Sequence, residues 1–281
     1  MNLTVLCDHW HLHPLAWIHR IEARSVATEL KRLGYTVRLL PFRENRIADL
    51  LRGPLLLRLS DPVMLLATRA LTTAARPFTG PAAAVIESCY DKYGASRLVA
   101  AHGIDSPATM LACDAGALPF PLMIKPRRGS DSIGISLRQA GPIPPRWRTE
   151  AHIAQEQIRG MELTVGIVRD RIGLPLRILL PEGTPYTFLR KYLLTPGREV
   201  LADGPLAERV CNSALAVARL FGINWAARIE FLYDPLRKRL CFLECDAAPL
   251  VGPASAFARS LTAAGITRRE QLQLLIDPDV A

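Results

Sequence analysis

Two apolar runs in the last quarter of the chain, joined by a short polar turn, limit most strongly what this sequence can fold into. Residues 227–233 and 240–245 are separated by an Asp-Pro pair and three basic residues, the pattern of an antiparallel β-hairpin. Glu230 interrupts the first run, and Glu244 and Asp246 lie in and after the second. Strands this apolar are expected to be buried, so their acidic residues need partners that offset the charge.

Side chains alternate between the faces of a strand, so Arg228 shares a face with Glu230, and Glu244 shares a face with Asp246. A turn with an odd number of residues predicts that Glu230 lies opposite Phe242 and diagonal to Glu244, with all three carboxylates on one side. A slip of one residue would move Glu230 to the other face. Such a cluster favours Mg²⁺, which takes oxygen ligands together with phosphate. The alternative is a solvent-facing hairpin with ordinary surface acids.

A second candidate site begins at Lys125, near the end of the apolar segment 121–126. The loop that follows, residues 127–134, contains two glycines and the serines Ser130 and Ser132. Small residues with free backbone N–H groups after a strand can hold phosphate. Loops of this composition are common, so this signal alone is weak.

The net charge of +9 would attract polyanions. The basic residues form no dense run, however, and only 6% of residues are aromatic, which argues against nucleic-acid binding. Most of the basic residues are arginines. The chain has five lysines, each a candidate for a task that needs a compact charge: Lys31, Lys92, Lys125, Lys191 and Lys238.

The first part of the chain alternates between strand and helix patterns, which predicts a parallel sheet with crossover helices. Strands are expected at 3–7, 35–40 and 54–59, with helices at 21–33 and 47–51. Further on, the patterns predict helices at 90–102 and 206–221, strands at 121–126 and 162–168, and then the hairpin.

The sequence favours a cytoplasmic protein without a membrane span. No apolar stretch approaches the roughly 20 residues that a bilayer needs, and the first residues do not read as a signal peptide. The six cysteines are scattered and form no CxxC pair, which is typical of a reducing compartment. His9, His11 and His13 alternate after the first strand, and an exposed loop is favoured there over a metal site.

Seven short motifs between about residues 78 and 265 occur in an order that is typical of one family. Taken together, these motifs resemble the D-alanine–D-alanine ligase branch of the ATP-grasp family. The motifs occur at 78–81, 91–92, 124–126 with its loop, 158–165, 191–192, 227–230 and 243–249. The resemblance implies an α/β chain with the ATP-grasp fold: an N-terminal parallel-sheet (pre-ATP-grasp) domain at 1–85, a small α+β lobe at 86–150 and a large lobe with the metal site at 151–281.

The resemblance also implies an ATP- and Mg²⁺-dependent, ADP-forming carboxylate–amine ligase. A small-molecule carboxylate, expected to be amino-acid-like and part of specialised metabolism, would be activated as an acyl phosphate and joined to an amine. No nucleic acid or membrane partner is expected, and a homodimer is left open. The alternative is a non-catalytic ATP-binding protein of the same fold, which would have no need of the charged hairpin cluster.

Residue roles follow from the resemblance position by position. The nucleotide phosphates would be faced by Lys92, Lys125, Ser130 and Ser132, with Asp131 as the alternative match to the family's loop serine, and Lys191 would approach the γ-phosphate. Adenine would be read by Gln155, Glu156 and Ile158, and the ribose held by Glu162. Arg228 would stabilise the transferring group, and magnesium would be bound by Glu230, Glu244 and Asp246. Asp246 stands where the family usually has asparagine. Leu250 replaces a small glycine, and the family's N-terminal substrate motif is absent, so D-alanyl-D-alanine is not the expected product.

Overall fold

The structure, a computed structural model, describes residues 2–9, 16–45, 47, 53–130, 132–180 and 196–276. These residues form three β-sheets with helices packed against them. The strands are β1 Asn2–Cys7, β2 Thr36–Pro41, β3 Leu55–Arg58, β4 Thr109–Leu111, β5 Leu122–Pro126, β6 Ser136–Arg138, β7 His152–Glu156, β8 Met161–Val168, β9 Arg171–Ile172, β10 Leu176–Ile178, β11 Arg198–Val200, β12 Ala226–Asp234 and β13 Arg239–Asp246. The helices are α1 Ala16–Arg32, α2 Asp61–Thr73, α3 Ala83–Tyr90, α4 Lys92–Ala101, α5 Pro205–Phe221, α6 Ala256–Ala263 and α7 Arg268–Ile276.

The first sheet has the order β2-β1-β3 and is parallel throughout, as the strand–helix alternation predicts. Helix α1 begins earlier than the predicted residue 21. Ile18, Glu22, Val26 and Leu30 are buried, whereas Ile21 is 58% exposed. The predicted helical segment 47–51 lies outside the described residues apart from Ile47.

Helix α1 lies between the first sheet and the C-terminal part of the chain. One hydrophobic cluster contains Val5 of β1, Val26 of α1, the indole of Trp225, and Leu261 and Leu275 of the last two helices. The N-terminal unit therefore shares a continuous core with the large sheet and its helices. This packing fixes the carboxyl ends of the first sheet relative to the hairpin.

The second sheet is antiparallel with the order β4-β7-β5-β6. Strand β7 pairs within it, although its first residue, His152, lies past the predicted lobe boundary at 150. The helix predicted at 90–102 corresponds to α4, and α3, which is not among the predicted helices, precedes it; the two meet at Asp91. The Asp91 carboxylate accepts a hydrogen bond from the N–H of Gly94, so Asp91 is the N-cap of α4.

The third sheet has the order β11-β10-β8-β12-β13, with β9 added to β8, and contains the predicted hairpin as β12 and β13. Its antiparallel strands pack against α5 through an apolar cluster that includes Leu163, Val217, Ile229 and Phe242. Among the described residues, no helix has the length and hydropathy required to cross a membrane.

Candidate active site

The β12–β13 hairpin places its charged residues on one face, but by a different register from the predicted one. The turn between the strands has four residues, 235–238, which is an even number. A β-bulge between Glu230 and Phe231 then shifts the register by one residue, so Glu230 lies opposite Glu244 and Arg228 opposite Asp246. Directly opposed residues share a face, so the shared face is correct and the predicted pairing with Phe242 is wrong.

Arg228 holds this face together. Its guanidinium forms an ion pair with Glu230 and donates a hydrogen bond from Nη2 to Asp246 Oδ2 at 3.2 Å. Arg228 and Glu230 are each 8% exposed, so both charges are largely removed from water. The surface alternative, in which these are ordinary solvated acids, does not describe this buried arrangement.

Two of the predicted lysines lie beside the same face. Lys92 Nζ is 3.9 Å from Glu244 Oε2 and donates a hydrogen bond to the carbonyl oxygen of Gly129, in the loop after β5. Lys125 is 8% exposed. Burial, followed by repulsion from Lys92, lowers the pKa of the Lys125 ammonium to about 8, although Glu244 and Glu162 oppose that shift. Two cations and two carboxylates are thus close enough to influence one another.

Asp91 organises this region and was missing from the predicted site residues. Its carboxylate accepts from Arg127 Nε at 2.7 Å and Nη2 at 2.6 Å, and the N–H of Lys92 donates to the Arg127 carbonyl at 3.0 Å. Burial alone would raise the pKa of Asp91, but the Arg127 hydrogen bond holds it below its usual range. One carboxylate therefore fixes both the start of α4 and the start of the phosphate-binding candidate loop. An aspartate just before a helical pattern is a readable N-cap signal.

The loop after β5 needs glycine at one position. Gly134 has a φ of +74°, and a Cβ there would lie 2.9 Å from Pro126 Cγ. Ser132 also has a positive φ, 59°. Ser130 and Ser132 both line the cavity described below, whereas Asp131 lies outside the described residues.

The segment between β7 and β8 forms the opposite side of the site. Gln155 Nε2 donates to Thr109 Oγ1 at 2.9 Å, and Glu156 Oε1 accepts from Arg239 Nη1 at 3.1 Å. Their side chains are therefore held by neighbouring structure rather than extended into open space. Gly160 lets β8 approach β12 closely, since a Cβ there would lie 2.0 Å from the Tyr233 carbonyl oxygen.

These parts enclose a cavity of about 1040 Å³ between the second and third sheets. Its lining contains both apolar side chains and charged or polar ones. The predicted site residues that line it are Lys92, Lys125, Ser130, Ser132, Gln155, Glu156, Ile158, Glu162, Glu230 and Glu244. Asp246 lines a small adjacent cavity together with Lys92 and Glu244. A volume of this size suits a nucleotide-sized ligand.

The hairpin carboxylates offer the oxygen donors that Mg²⁺ takes, and Lys92 and Lys125, which could hold phosphate, lie beside them. No group of three histidine, cysteine, aspartate or glutamate side chains within the described ranges is drawn together closely enough to hold a metal ion. Arg228 pairs with both Glu230 and Asp246. The donor set fits a hard cation in chemistry, with Arg228 as the present counter-charge.

Several predicted residues cannot be placed. Lys191, expected near the γ-phosphate, and His11 and His13 lie outside the described residues. His9 is described, and its Nε2 lies 3.1 Å from Arg43 Nη2 on the protein surface.

Comparison with known proteins agrees with this architecture. The D-alanine–D-alanine ligase of Nitrosospira multiformis is 30% identical over 210 residues, covering 69% of this chain and 68% of the relative. That of Acidiphilium cryptum is 30% identical over 205 residues, covering 68% and 67%. No protein-family model matches the sequence.

Solved structures extend the likeness of fold to nearly the whole chain. The Bacillus anthracis D-alanine–D-alanine ligase complexed with ATP has a TM-score of 0.78 at 18% identity and covers 98% of this chain and 96% of its own. The VanG D-Ala:D-Ser ligase of Enterococcus faecalis has a TM-score of 0.77 at 16% identity, covering 98% of both chains. The two relatives at 30% identity show that the chain belongs to the D-alanine–D-alanine ligase family of ATP-grasp enzymes.

Proposed function

We propose that this protein is an ADP-forming ligase that activates an amino-acid-like carboxylate as an acyl phosphate and joins it to an amine. The observation that carries the proposal is the charged face of the hairpin: Glu230 and Glu244 line the nucleotide-sized cavity, Asp246 lines the small cavity beside it, and Arg228 pairs with Glu230 and Asp246. ATP and Mg²⁺, which enzymes of this family use, would supply the phosphoryl group and the charge neutralisation that its transfer needs. A cytoplasmic location, a role in specialised metabolism and the three-domain division remain part of the proposal.

The nucleotide would lie along the cavity, with its base between the sheets. The backbone of 155–158 would read adenine, because the Gln155 and Glu156 side chains already have partners. Glu162, on β8 facing the cavity, would accept hydrogen bonds from the ribose. Lys92 and Lys125 would hold the phosphates as point charges, with Ser130 and Ser132 beside them. We assign Lys191 to the γ-phosphate on sequence alone.

The hairpin face would carry the chemistry. Glu230, Glu244 and Asp246 would bind magnesium, and Arg228, released from its carboxylate partners by that ion, would stabilise negative charge on the transferring phosphoryl group. A non-catalytic ATP-binding protein is the second candidate, but nucleotide binding alone does not require an arginine buried between two carboxylates.

Release of ADP tests the proposed function. The purified protein is incubated with ATP, Mg²⁺ and a panel of single amino acids, amino-acid pairs and dipeptides, and ADP is measured for each. We expect ADP release that depends on Mg²⁺ and on a subset of the panel. Nucleotide binding without ADP release under any condition would favour the non-catalytic candidate.

ATP with Mg²⁺ should raise the melting temperature, whereas GTP should raise it much less. A ligand at ~100 times its dissociation constant adds roughly 2.7 kcal/mol to the free energy of unfolding. Thermal denaturation with each nucleotide measures the difference. No shift with any nucleotide would contradict an ATP site.

ATP affinity should fall as pH rises through about 8. Lys125 has a pKa of about 8 in the free protein, so it is charged below that pH and neutral above it. If only the charged form holds phosphate, the dissociation constant at pH 9 should be roughly tenfold that at pH 7. Titration calorimetry measures it, and Lys125→Arg, which stays charged, should show a flat profile over this range.

A further inference from the structure

A buried ion pair lies between the N-terminal sheet and the large lobe, outside the cavity. Glu22 of α1 and Arg58 at the end of β3 are 8% and 1% exposed. Arg58 donates from Nε to Glu22 Oε2 at 3.2 Å and from Nη2 to Glu22 Oε1 at 3.1 Å. The guanidinium also lies over the ring of Trp225, at 5.9 Å from its centroid.

Both members of this pair bind the backbone around Leu250. Arg58 Nη2 donates to the carbonyl oxygen of Pro249 at 2.6 Å, and the N–H of Val251 donates to Glu22 Oε1 at 2.7 Å. These are the two peptide groups that flank Leu250. One ion pair therefore fixes the backbone on both sides of a single residue, and we call this arrangement the Leu250 clamp.

The clamped segment continues directly from the charged face of the hairpin. The N–H of Ala248 donates to Asp246 Oδ1 at 3.0 Å, so the short loop from Asp246 to Val251 is held at both ends. Ala247 and Ala248, in its middle, line the small cavity that also contacts Lys92 and Glu244. A shift of this loop would therefore move groups beside the candidate site for phosphoryl transfer.

A contribution to the stability of the fold does not by itself explain the Glu22–Arg58 pair. Arg58 Nη1 is buried and has no hydrogen-bond partner in the part of the chain that the structure describes. Burial of a charged group with an unsatisfied N–H is costly, and apolar replacements of a whole buried ion pair are often neutral or stabilising. The geometry that the pair imposes on the loop is what apolar residues would not reproduce.

We propose that Glu22 and Arg58 are positioning residues: by fixing the backbone at Leu250 they set the shape of the small cavity that Ala247 and Ala248 line beside Lys92 and Glu244, which we assign to the acceptor. The inference rests on the proposed ligase function, because it treats the loop after Asp246 as a wall of that pocket. It gives the N-terminal unit a direct influence on acceptor choice, since both clamp residues belong to that unit and reach the loop from outside the cavity.

The test replaces both partners at once, so that no unpaired charge stays buried. The double variant Glu22→Leu/Arg58→Met is compared with Glu29→Leu/Arg268→Met. This control removes another ion pair between α1 and the large lobe, with contacts of 2.9 and 2.6 Å, which does not touch the loop. Amide hydrogen exchange at Val251 and steady-state kinetics with ATP and D-alanine as probe acceptor are measured for each. If D-alanine gives no ADP, the best amino acid from the panel replaces it.

We expect the clamp variant to exchange the Val251 amide ~tenfold faster or more. Its kcat/KM for the acceptor should fall roughly ten- to hundredfold, because a displaced pocket wall misaligns the reacting groups. Its KM for ATP should stay within about twofold, and the control variant should match the wild type in all three measurements. If the double variant does not fold, Arg58→Lys, which keeps the charge but lacks the fork that spans both partners, should show a smaller loss of the same kind.

Equal losses in the clamp and control variants would overturn the proposal, as would unchanged exchange at Val251. Faster exchange with an unchanged acceptor KM and kcat would show that the clamp orders the loop but does not shape the pocket, and would also overturn it. If the wild type does not form ADP with any acceptor in the panel, the proposed function itself fails. The exchange measurement, which needs no turnover, still decides whether the clamp exists.

Discussion

Replacement of Glu244 with glutamine is expected to remove nearly all ADP formation while the protein stays folded. Glu244 lies opposite Glu230, 3.9 Å from the Lys92 ammonium, and its side chain is 28% exposed. The amide keeps the size of the side chain but removes a carboxylate that would bind the metal. Metal ions contribute several kcal/mol to charge stabilisation, so the loss should be about 10²–10³-fold or more.

The melting temperature separates a metal ligand from a structural residue. Because Glu244 is partly exposed, Glu244→Gln should change the melting temperature by no more than about 2 °C. A matched control is Glu87→Gln, which removes a carboxylate that pairs with Arg69 on the surface and should leave ADP formation unchanged. An unfolded Glu244→Gln protein would identify the residue as structural, and a folded, fully active one would remove it from the proposed metal site.

The same substitution should also act on Lys125. The Glu244 carboxylate opposes the depression of the Lys125 pKa, so its removal should lower that pKa below about 8. ATP affinity in Glu244→Gln should then begin to fall at a lower pH than in the wild type. This shift would link the two charged groups without any measurement of turnover.

Apolar periodicity was sufficient to predict the parallel first sheet and the hairpin, but not the register of the hairpin. Alternation placed Arg228 with Glu230 and Glu244 with Asp246. The turn has an even number of residues, which by itself would have moved Glu244 to the other face from Glu230. A β-bulge restores the shared face. A bulge depends on how both strands pack, and nothing in the alternation of either strand signals it.

Contacts between residues far apart in the chain could not be predicted from the sequence either. Glu22 and Arg58 are 36 positions apart, and their backbone partners lie near the other end of the chain. An isolated glutamate in a helix and an arginine after an apolar strand are each expected on a surface. Asp91 is the opposite case, since its cap position was readable from local sequence. Local rules therefore predict caps and faces, while contacts across domains appear only in the fold.

Shortening of Leu250 is expected to change acceptor choice and to spare ATP binding. Leu250 is half-buried, and its two flanking peptide groups are held by the Leu250 clamp. Its side chain should therefore present a fixed surface, where the family resemblance implies a glycine. A hydrophobic pocket discriminates one methylene by roughly 1–3 kcal/mol, so Leu250→Gly should shift the ratio of kcat/KM between a large and a small acceptor by about 10–200-fold. The KM for ATP should change by less than about twofold, or roughly 0.4 kcal/mol.

Leu250→Ala separates the effect of side-chain size from that of backbone freedom. Alanine removes most of the side chain but keeps the restricted backbone, so it should give most of the change in selectivity if size is the cause. A change seen only with glycine would indicate that the backbone, and hence the clamp, sets the preference. Michaelis constants for ATP and for a large and a small acceptor, measured in all three proteins, distinguish these cases. If ATP affinity collapses while acceptor selectivity stays the same, the loop after Asp246 belongs to the nucleotide site, and the acceptor pocket must lie elsewhere.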